Sequence, residues 1–458
     1  MGYSTKGALP VLPIRRGVVT GTVWVLYCPV AVYLLLLYFR PALAYILPSE
    51  VLRYSNIVAL SSAALVVVLR GRGRIFQRLP RYLLFLLAGI AVIGSSAAVA
   101  GAPQAKMNWV LYNFVGACLT FVAFSGAYES RRGAIGITVL LVACAAINST
   151  VGVWGAVTKA RLFNVGQEAG VGTFGYDPIY GRSGGIIGEN YVGLVDLPAL
   201  VAGLWLLQNR RWNLAGVLLT AASGAAIVVS LSKASAMAGL VAALAFSLIS
   251  IRRRRSAVLL IGVVGALLYG GASYLTSAKD PAPYRKVSIQ YRWSMEALIN
   301  EDRLTIWRSY LSDVEGAPFL GRGPGYIAGR ISAGRQVPHN SLLDILVEFG
   351  LLGVVLYVSA FGVTVRNYWV SQRRSPNALG SLLMCCFCGM AASTMTVSDP
   401  LYRVLWAVAG GLNGVRWCAE PRSVVCARKE GAGPPVGMTS RRGRTIRVAS
   451  LHERLPLG

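Results

Sequence analysis

Charge is scarce in this chain and histidine nearly absent. Only 14% of the 458 residues are charged, 55% are hydrophobic and the mean hydropathy is +0.56, which excludes a soluble globular fold of this length and places the chain among polytopic membrane proteins. Acids are scarcer still, with 18 Asp and Glu against 45 Lys and Arg. A net charge of +27 would suit a nucleic-acid binder. The basic residues, however, stand in short clusters between apolar runs or in the tail, as the positive-inside rule asks of cytoplasmic loops, so nucleic acid is not an expected partner. Cysteine is missing from the two long polar loops, near 157–190 and 278–340: Cys28, Cys118, Cys144, Cys385, Cys386, Cys388, Cys418 and Cys426 lie in apolar spans or in the tail, which argues against a disulfide framework. Cys385, Cys386 and Cys388 fall in mid-span without a neighbouring His or carboxylate; they read as small packing residues, and no metal site is expected. Internal repeats of the transporter kind are also absent. The first apolar run follows Lys6, Arg15 and Arg16 but has no small-residue cleavage site, so it reads as a retained membrane helix.

What is present is a series of apolar segments. With about twenty residues needed to cross the hydrocarbon, we expect an all-α polytopic membrane protein of about 12 transmembrane helices, near 17–39, 54–69, 82–101, 108–127, 134–156, 191–208, 212–230, 235–251, 257–277, 341–365, 377–396 and 400–416. On that count Arg15 and Arg16, the cluster Arg70 to Arg81, Arg131 and Arg132, Arg210 and Arg211, Arg252 to Arg255, Arg366 with Arg373 and Arg374, and the tail all fall on one side. One missed or invented span would have split them. The expected organisation is a cytoplasmic N-terminus (1–16), nine spans (17–277), a large extracytoplasmic loop (278–340), three spans (341–416) and a cytoplasmic basic tail (417–458). The tail mixes Arg, Gly, Pro and Ser without apolar periodicity, which predicts disorder and attraction to anionic headgroups.

The longest polar interval, Arg303 to Gly353, holds the only histidine outside the tail. Leu304, Trp307, Leu311 and Val314 recur at helical spacing, predicting an amphipathic helix near 302–315 with Asp302 as a possible cap. Arg303 and Trp307 lie one turn apart on it, so the guanidinium can rest beside an aromatic ring. The GRGPG run at 321–325 reads either as a turn returning the chain to the membrane or as a weak phosphate loop. From Lys279 to Arg335 the loop carries nine basic residues against six acids, an excess that suggests an anionic ligand. His339, where the loop re-enters, has the chemistry to take a proton from a hydroxyl; the alternative is a helix-entry residue with Asn340 or Ser341 as cap. Asp344 and Glu348 share one face of the following span, as intramembrane acids turned to a polar interior do. Arg182 to Asn190 and Ser230 to Ser235 also fall on the outer side; Lys233 reads either as a snorkelling side chain or as a cation beside a lipid phosphate.

The ordered series Arg303 with Trp307, GRGPGY, His339-Asn340, then Glu348 with Gly350 and Gly353 resembles the signature region of bacterial O-antigen ligases and O-antigen or exopolysaccharide polymerases, over about residues 215–365. The resemblance implies a metal-independent, cofactor-free glycosyltransferase of the GT-C type in the bacterial inner membrane. It implies an undecaprenyl-diphosphate-linked glycan as donor, a glycan or lipid A-core as acceptor, an active site facing the periplasm, and other polysaccharide-assembly proteins as further partners. The family's essential histidine maps onto His339 and its loop arginine onto Arg303. A second family arginine maps onto Lys233, which keeps the charge but lacks the bidentate fork. Arg182 and Arg335 are further candidates for meeting the diphosphate, and Asn340, Trp307 and Glu348 for the substrate site. A transporter is the main rival, a carrier-lipid flippase or a facilitator. The loop after the second span, RGRGRIFQRLPR, lacks the acid a facilitator would carry.

Overall fold

The computed structural model describes residues 22–46, 49–70, 79–159, 161–163, 174–177, 182–183, 186, 192–208, 210–230, 232–249, 303–374, 376–397 and 402–418. The expected ninth span, the cap at Asp302 and the tail lie outside them. The described helices are α1 (Thr22–Ile46), α2 (Ser49–Arg70), α3 (Leu79–Ala100), α4 (Gln104–Ala127), α5 (Arg131–Thr158), α6 (Val192–Val195), α7 (Leu197–Leu206), α8 (Asn213–Val229), α9 (Lys233–Ile249), α10 (Arg303–Glu315), α11 (Tyr326–Ser332), α12 (Ser341–Arg374), α13 (Ala378–Ser393) and α14 (Arg403–Cys418). Three of these are long and apolar enough by length and composition to cross a membrane: Gln104–Ala127, Arg131–Thr158 and Ser341–Arg373; most of the others have shorter apolar stretches. Helices coincide with every expected span that falls on described residues, with two differences. The sixth is broken at Asp196 between α6 and α7, and the tenth is interrupted at Gly350, whose φ of 63° and ψ of −163° are not helical. The chain is also not wholly helical: β1 (Arg161–Phe163), β2 (Phe174–Asp177) and β3 (Arg182–Ser183) form a small antiparallel sheet after α5.

Helix packing follows the rule for apolar surroundings, where small residues let backbones approach and polar groups bond across the seam. A methyl group on Gly410 would overlap the Phe121 carbonyl, and one on Gly414 the Ser125 carbonyl, so α14 lies directly along α4 and parallel to it. Asn413 Nδ2 donates to Ser125 Oγ (2.8 Å) and its Oδ1 accepts from Asn367 Nδ2 (3.0 Å), joining α4, α12 and α14. Cys385 and Cys386 are buried in the main apolar core.

These contacts order the helix ends. The starts of α4, α7, α9, α12 and α14 and the ends of α3, α5, α8 and α13 point toward one end of the bundle, where α10 and α11 lie. At the other lie Arg131, Arg132, Arg211, Arg366 and Arg373. Antiparallel α12 and α13 are tied at the basic end by two hydrogen bonds between Gln372 and Asn377 (2.8 and 2.9 Å), and the Phe361 and Phe387 rings meet at 5.2 Å. Counting up seven residues from each ring puts Thr394 level with Val354. Ser341 N donates to Thr394 O at 2.9 Å, so α12 begins roughly 6 Å, four residues at 1.5 Å each, below its own kink. The arm 341–349 therefore folds back over the bundle rather than projecting from it.

Candidate active site

The loop end is built around the Gly350 kink. The kink frees backbone groups that the GRGPG run satisfies: Arg322 N donates to Val347 O (2.7 Å), Gly323 N to Glu348 O (3.0 Å), Leu351 N to Pro318 O (2.8 Å) and Leu352 N to Phe319 O (3.3 Å). Ser96 Oγ at the end of α3 also donates to Glu348 O (2.7 Å). Gly321, Gly323 and Gly325 have φ of 73°, 90° and 83°, and a Cβ on Gly321 would overlap the Glu348 carbonyl carbon. The run is thus the turn that locks the loop to the membrane helix. Its open N–H groups are occupied, since Glu348 Oε1 accepts from Gly325 N (3.0 Å) and Ile327 N (3.3 Å) and so caps α11. Glu348→Ala is expected to lower stability by about 1 kcal/mol and Glu348→Gln, which keeps the acceptor oxygen, to cost much less; thermal melting of the purified variants checks the difference.

Helix α10 rests on α11 and α12 through Tyr310, Ile327, Leu343 and Val347, with Trp307 and Val314 at the margin. Its Trp307–Tyr310–Asp313 face grips residues 335–338, just before the histidine. Trp307 Nε1 donates to Pro338 O (2.8 Å), Tyr310 OH to Gln336 O (3.1 Å), and Asp313 Oδ2 pairs with Arg335 Nη1 (3.0 Å). Burial pushes the Tyr310 phenol up, against the pull of Arg335, so it remains a donor at neutral pH. Asp313 Oδ1 pairs with Arg330 Nη2 (2.7 Å) and holds that guanidinium above its ordinary value. Trp307→Phe removes the only indole donor to the buried Pro338 carbonyl. We expect a loss of about 1–3 kcal/mol and a fall in activity without a change in helix content by circular dichroism.

His339 follows with φ of 51°, one of two described non-glycine residues at positive φ, and its side chain is exposed. Asn340 Oδ1 accepts from Leu342 N (3.0 Å) and Leu343 N (3.2 Å), which makes it the cap of α12. Ser341 is pinned through N to Thr394 and through Oγ to Val397 O (2.5 Å). His339 is thus held from both sides, by α10 before it and by the α13 end after it. Lys233 opens α9, whose first turn is capped by Ser232 Oγ accepting from Ser235 N (3.3 Å). Gly389 of α13 lies against Ala238 and Leu197; five residues from each contact, Lys233 comes level with Thr394, hence with Ser341.

The sequence candidates therefore divide. Arg303, Trp307, Arg335, His339, Asn340 and Glu348 share one loop assembly, and Lys233 lies at the same depth on a separate helix. Arg182 belongs to β3, paired with Asp177 of β2; its side chain lies outside the described residues. Ile186, beyond it, donates N–H to Asn148 Oδ1 (2.7 Å), and Asn148 Nδ2 donates to Asp196 Oδ1 (2.9 Å), anchoring that loop to α5 and α7. Tyr310 and Asp313 were missed, although their three-residue steps from Trp307 place them on one helix face. Among the described residues no three His, Cys, Asp or Glu side chains gather in a metal-ligand arrangement.

The arrangement offers cations and an exposed imidazole at one end of a membrane bundle, with the backbone around the imidazole fixed by hydrogen bonds. No curated protein matches the chain. Residues 215–358, which take in α8, α9, α10, α11 and the kinked start of α12, match the family model described as O-antigen ligase. Residues 215–358 are therefore similar to an O-antigen ligase domain, set in a chain with three described helices long and apolar enough to cross a membrane.

Proposed function

We propose that the chain transfers a glycan from an undecaprenyl-diphosphate carrier to an acceptor hydroxyl at the periplasmic face of the bacterial inner membrane. His339 takes the hydroxyl proton as the oxygen attacks the anomeric carbon, and the carrier diphosphate leaves from the opposite face, giving inversion in one displacement. Arg303 and Lys233 meet the charge that develops on the diphosphate, with Arg182 and Arg335 in reserve. No metal enters this scheme. Trp307 positions the histidine's approach, while Asn340 and Glu348 hold the backbone around it. With the basic end toward the cytoplasm, both termini are cytoplasmic and the His339 end faces the periplasm. Exopolysaccharide or O-antigen repeat units are the preferred acceptor over lipid A-core, because the short first outer loop and the lysine in place of the family's second arginine are less ligase-like.

The single observation that carries the reading is the Trp307 to Pro338 hydrogen bond (2.8 Å), by which the helix bearing Arg303 is tied to the residue before His339. Purified protein with a carrier-linked donor tests it. His339→Ala is expected to lose transfer by about 10²–10⁴-fold, and transfer at the parental rate would sink the proposal. Lys233→Arg should retain activity, whereas Lys233→Gln should not. Gene disruption separates the acceptors: single repeats still attached to the outer membrane indicate a polymerase, and polymer accumulating on the carrier a ligase.

A further inference from the structure

Three guanidiniums gather around one residue of α10. Arg330 Nη2 and Arg335 Nη1 hold the two oxygens of Asp313 at 2.7 and 3.0 Å, and Arg322 Nε donates to the Asp313 backbone carbonyl at 2.7 Å. Three positive charges against one carboxylate leave a surplus of two. The Arg330 and Arg335 side chains remain 33% and 36% exposed, while that of Asp313 is only 10% exposed, so the cations form the outer layer and the acid the inner one. The charged planes are also oriented: Arg330 lies 5.3 Å from the Tyr326 ring centroid and Arg335 5.9 Å from that of Tyr310. Arg330 Nε is buried and has no hydrogen-bond partner among the described residues.

A structural ion pair needs one arginine per carboxylate. The third cation, the surplus charge and the unsatisfied donor go beyond that need. Asp313 itself demonstrates what the cluster holds, a carboxylate whose two oxygens are each met by one guanidinium nitrogen. The half-buried Tyr326 ring beside Arg330 adds a flat apolar surface of the kind that stacks on sugar faces, while Tyr310 is buried beneath the cluster.

We propose that Arg322, Arg330 and Arg335, gathered around Asp313 on the large loop, form a subsite for a carboxylate-bearing sugar of the glycan being extended. The subsite rests on the glycan-transfer reading but assigns Arg335, there a reserve cation for the diphosphate, to the sugar instead, and it makes no use of Arg303 or Lys233. It predicts a preference for acidic over neutral saccharide that is read as binding, not as turnover.

The test uses the full chain purified in detergent, with trigalacturonate, maltotriose and inorganic pyrophosphate as probes. Trigalacturonate should bind at least tenfold more tightly than maltotriose and weaken with added salt. Arg330→Gln and Arg322→Gln should each weaken it by about tenfold, a loss equivalent to about 1.4 kcal/mol, with a modest fall in melting temperature for Arg322→Gln, which gives up the bond to the Asp313 carbonyl but no side-chain ion pair. His339→Ala should bind trigalacturonate like the parent even though it does not transfer; loss of transfer with binding intact thus separates this subsite from the catalytic proposal. Equal binding of trigalacturonate and maltotriose, or folded glutamine variants that bind trigalacturonate as the parent does, would overturn the subsite. Tighter, Arg330-dependent binding of pyrophosphate would also overturn it, by giving the cluster to the leaving group.

Discussion

Replacing His339 by glycine is expected to abolish glycan transfer while leaving the protein as stable as the parent or more so. Its φ of 51° is a conformation that costs an L-residue about 1–2 kcal/mol and glycine almost nothing. An exposed side chain contributes little burial to offset that cost. Histidine stands there against the backbone's preference, as strained residues at functional sites do. His339→Gly should melt no lower than the parent, with a gain of up to about 1 kcal/mol, and lose about 10²–10⁴-fold in transfer rate. His339→Ala should show the same loss of rate without the gain. If His339→Gly instead melts well below the parent, the histidine is a structural residue at the mouth of α12, and the backbone strain no longer supports its proposed role as base.

Gly350→Ala is expected to be the most destabilising single methyl addition in the described chain. Its φ and ψ fall in a region open essentially to glycine alone, which costs other residues about 1–3 kcal/mol. The added Cβ would overlap the Phe319 carbonyl group, a rigid backbone neighbour, at a further cost of about 1–3 kcal/mol. The four backbone bonds across the kink would have to lengthen together, so the 341–349 arm and the turn at 318–323 would shift as one. We expect a loss of about 2–6 kcal/mol, with activity falling in proportion to the unfolded fraction. Gly362→Ala on the same helix, where a Cβ meets nothing within 4 Å, is the control. It should be neutral or stabilise by up to about 1 kcal/mol through helix propensity. Equal melting temperatures for the two variants would mean that the kink is not held as described.

The pattern of hydrophobic length predicted helices at every expected span on the described residues, because a membrane segment must satisfy its own backbone hydrogen bonds and so declares itself by composition alone. The amphipathic helix at 303–315 was equally legible, since its apolar residues repeat at helical spacing. Asn340 was anticipated as a cap in one of two readings, and its side chain bonds Leu342 N and Leu343 N. The breaks at Asp196 and Gly350 were not legible. Asp196 stands in an apolar run, and its partner Asn148 lies 48 residues away. Glu348 shared a face with Asp344, but that its carboxylate caps α11 depends on a contact 23 residues back along the chain. Arg335 stood out as an excess cation, while its pairing with Asp313 depended on α10 lying against the returning loop.

By itself the sequence determined that this is a helical membrane protein, where its helices lie, and that its one loop histidine follows an arginine-bearing amphipathic helix. Those properties are local: segment length, residue spacing and the order of motifs can be counted along one chain. Only the tertiary structure decided that α12 folds back at Gly350, that Trp307, Tyr310 and Asp313 hold the approach to His339, and that Lys233 comes level with it. Each of those depends on two segments meeting in one register, and the energy that selects the register resides in contacts that neither segment contains alone.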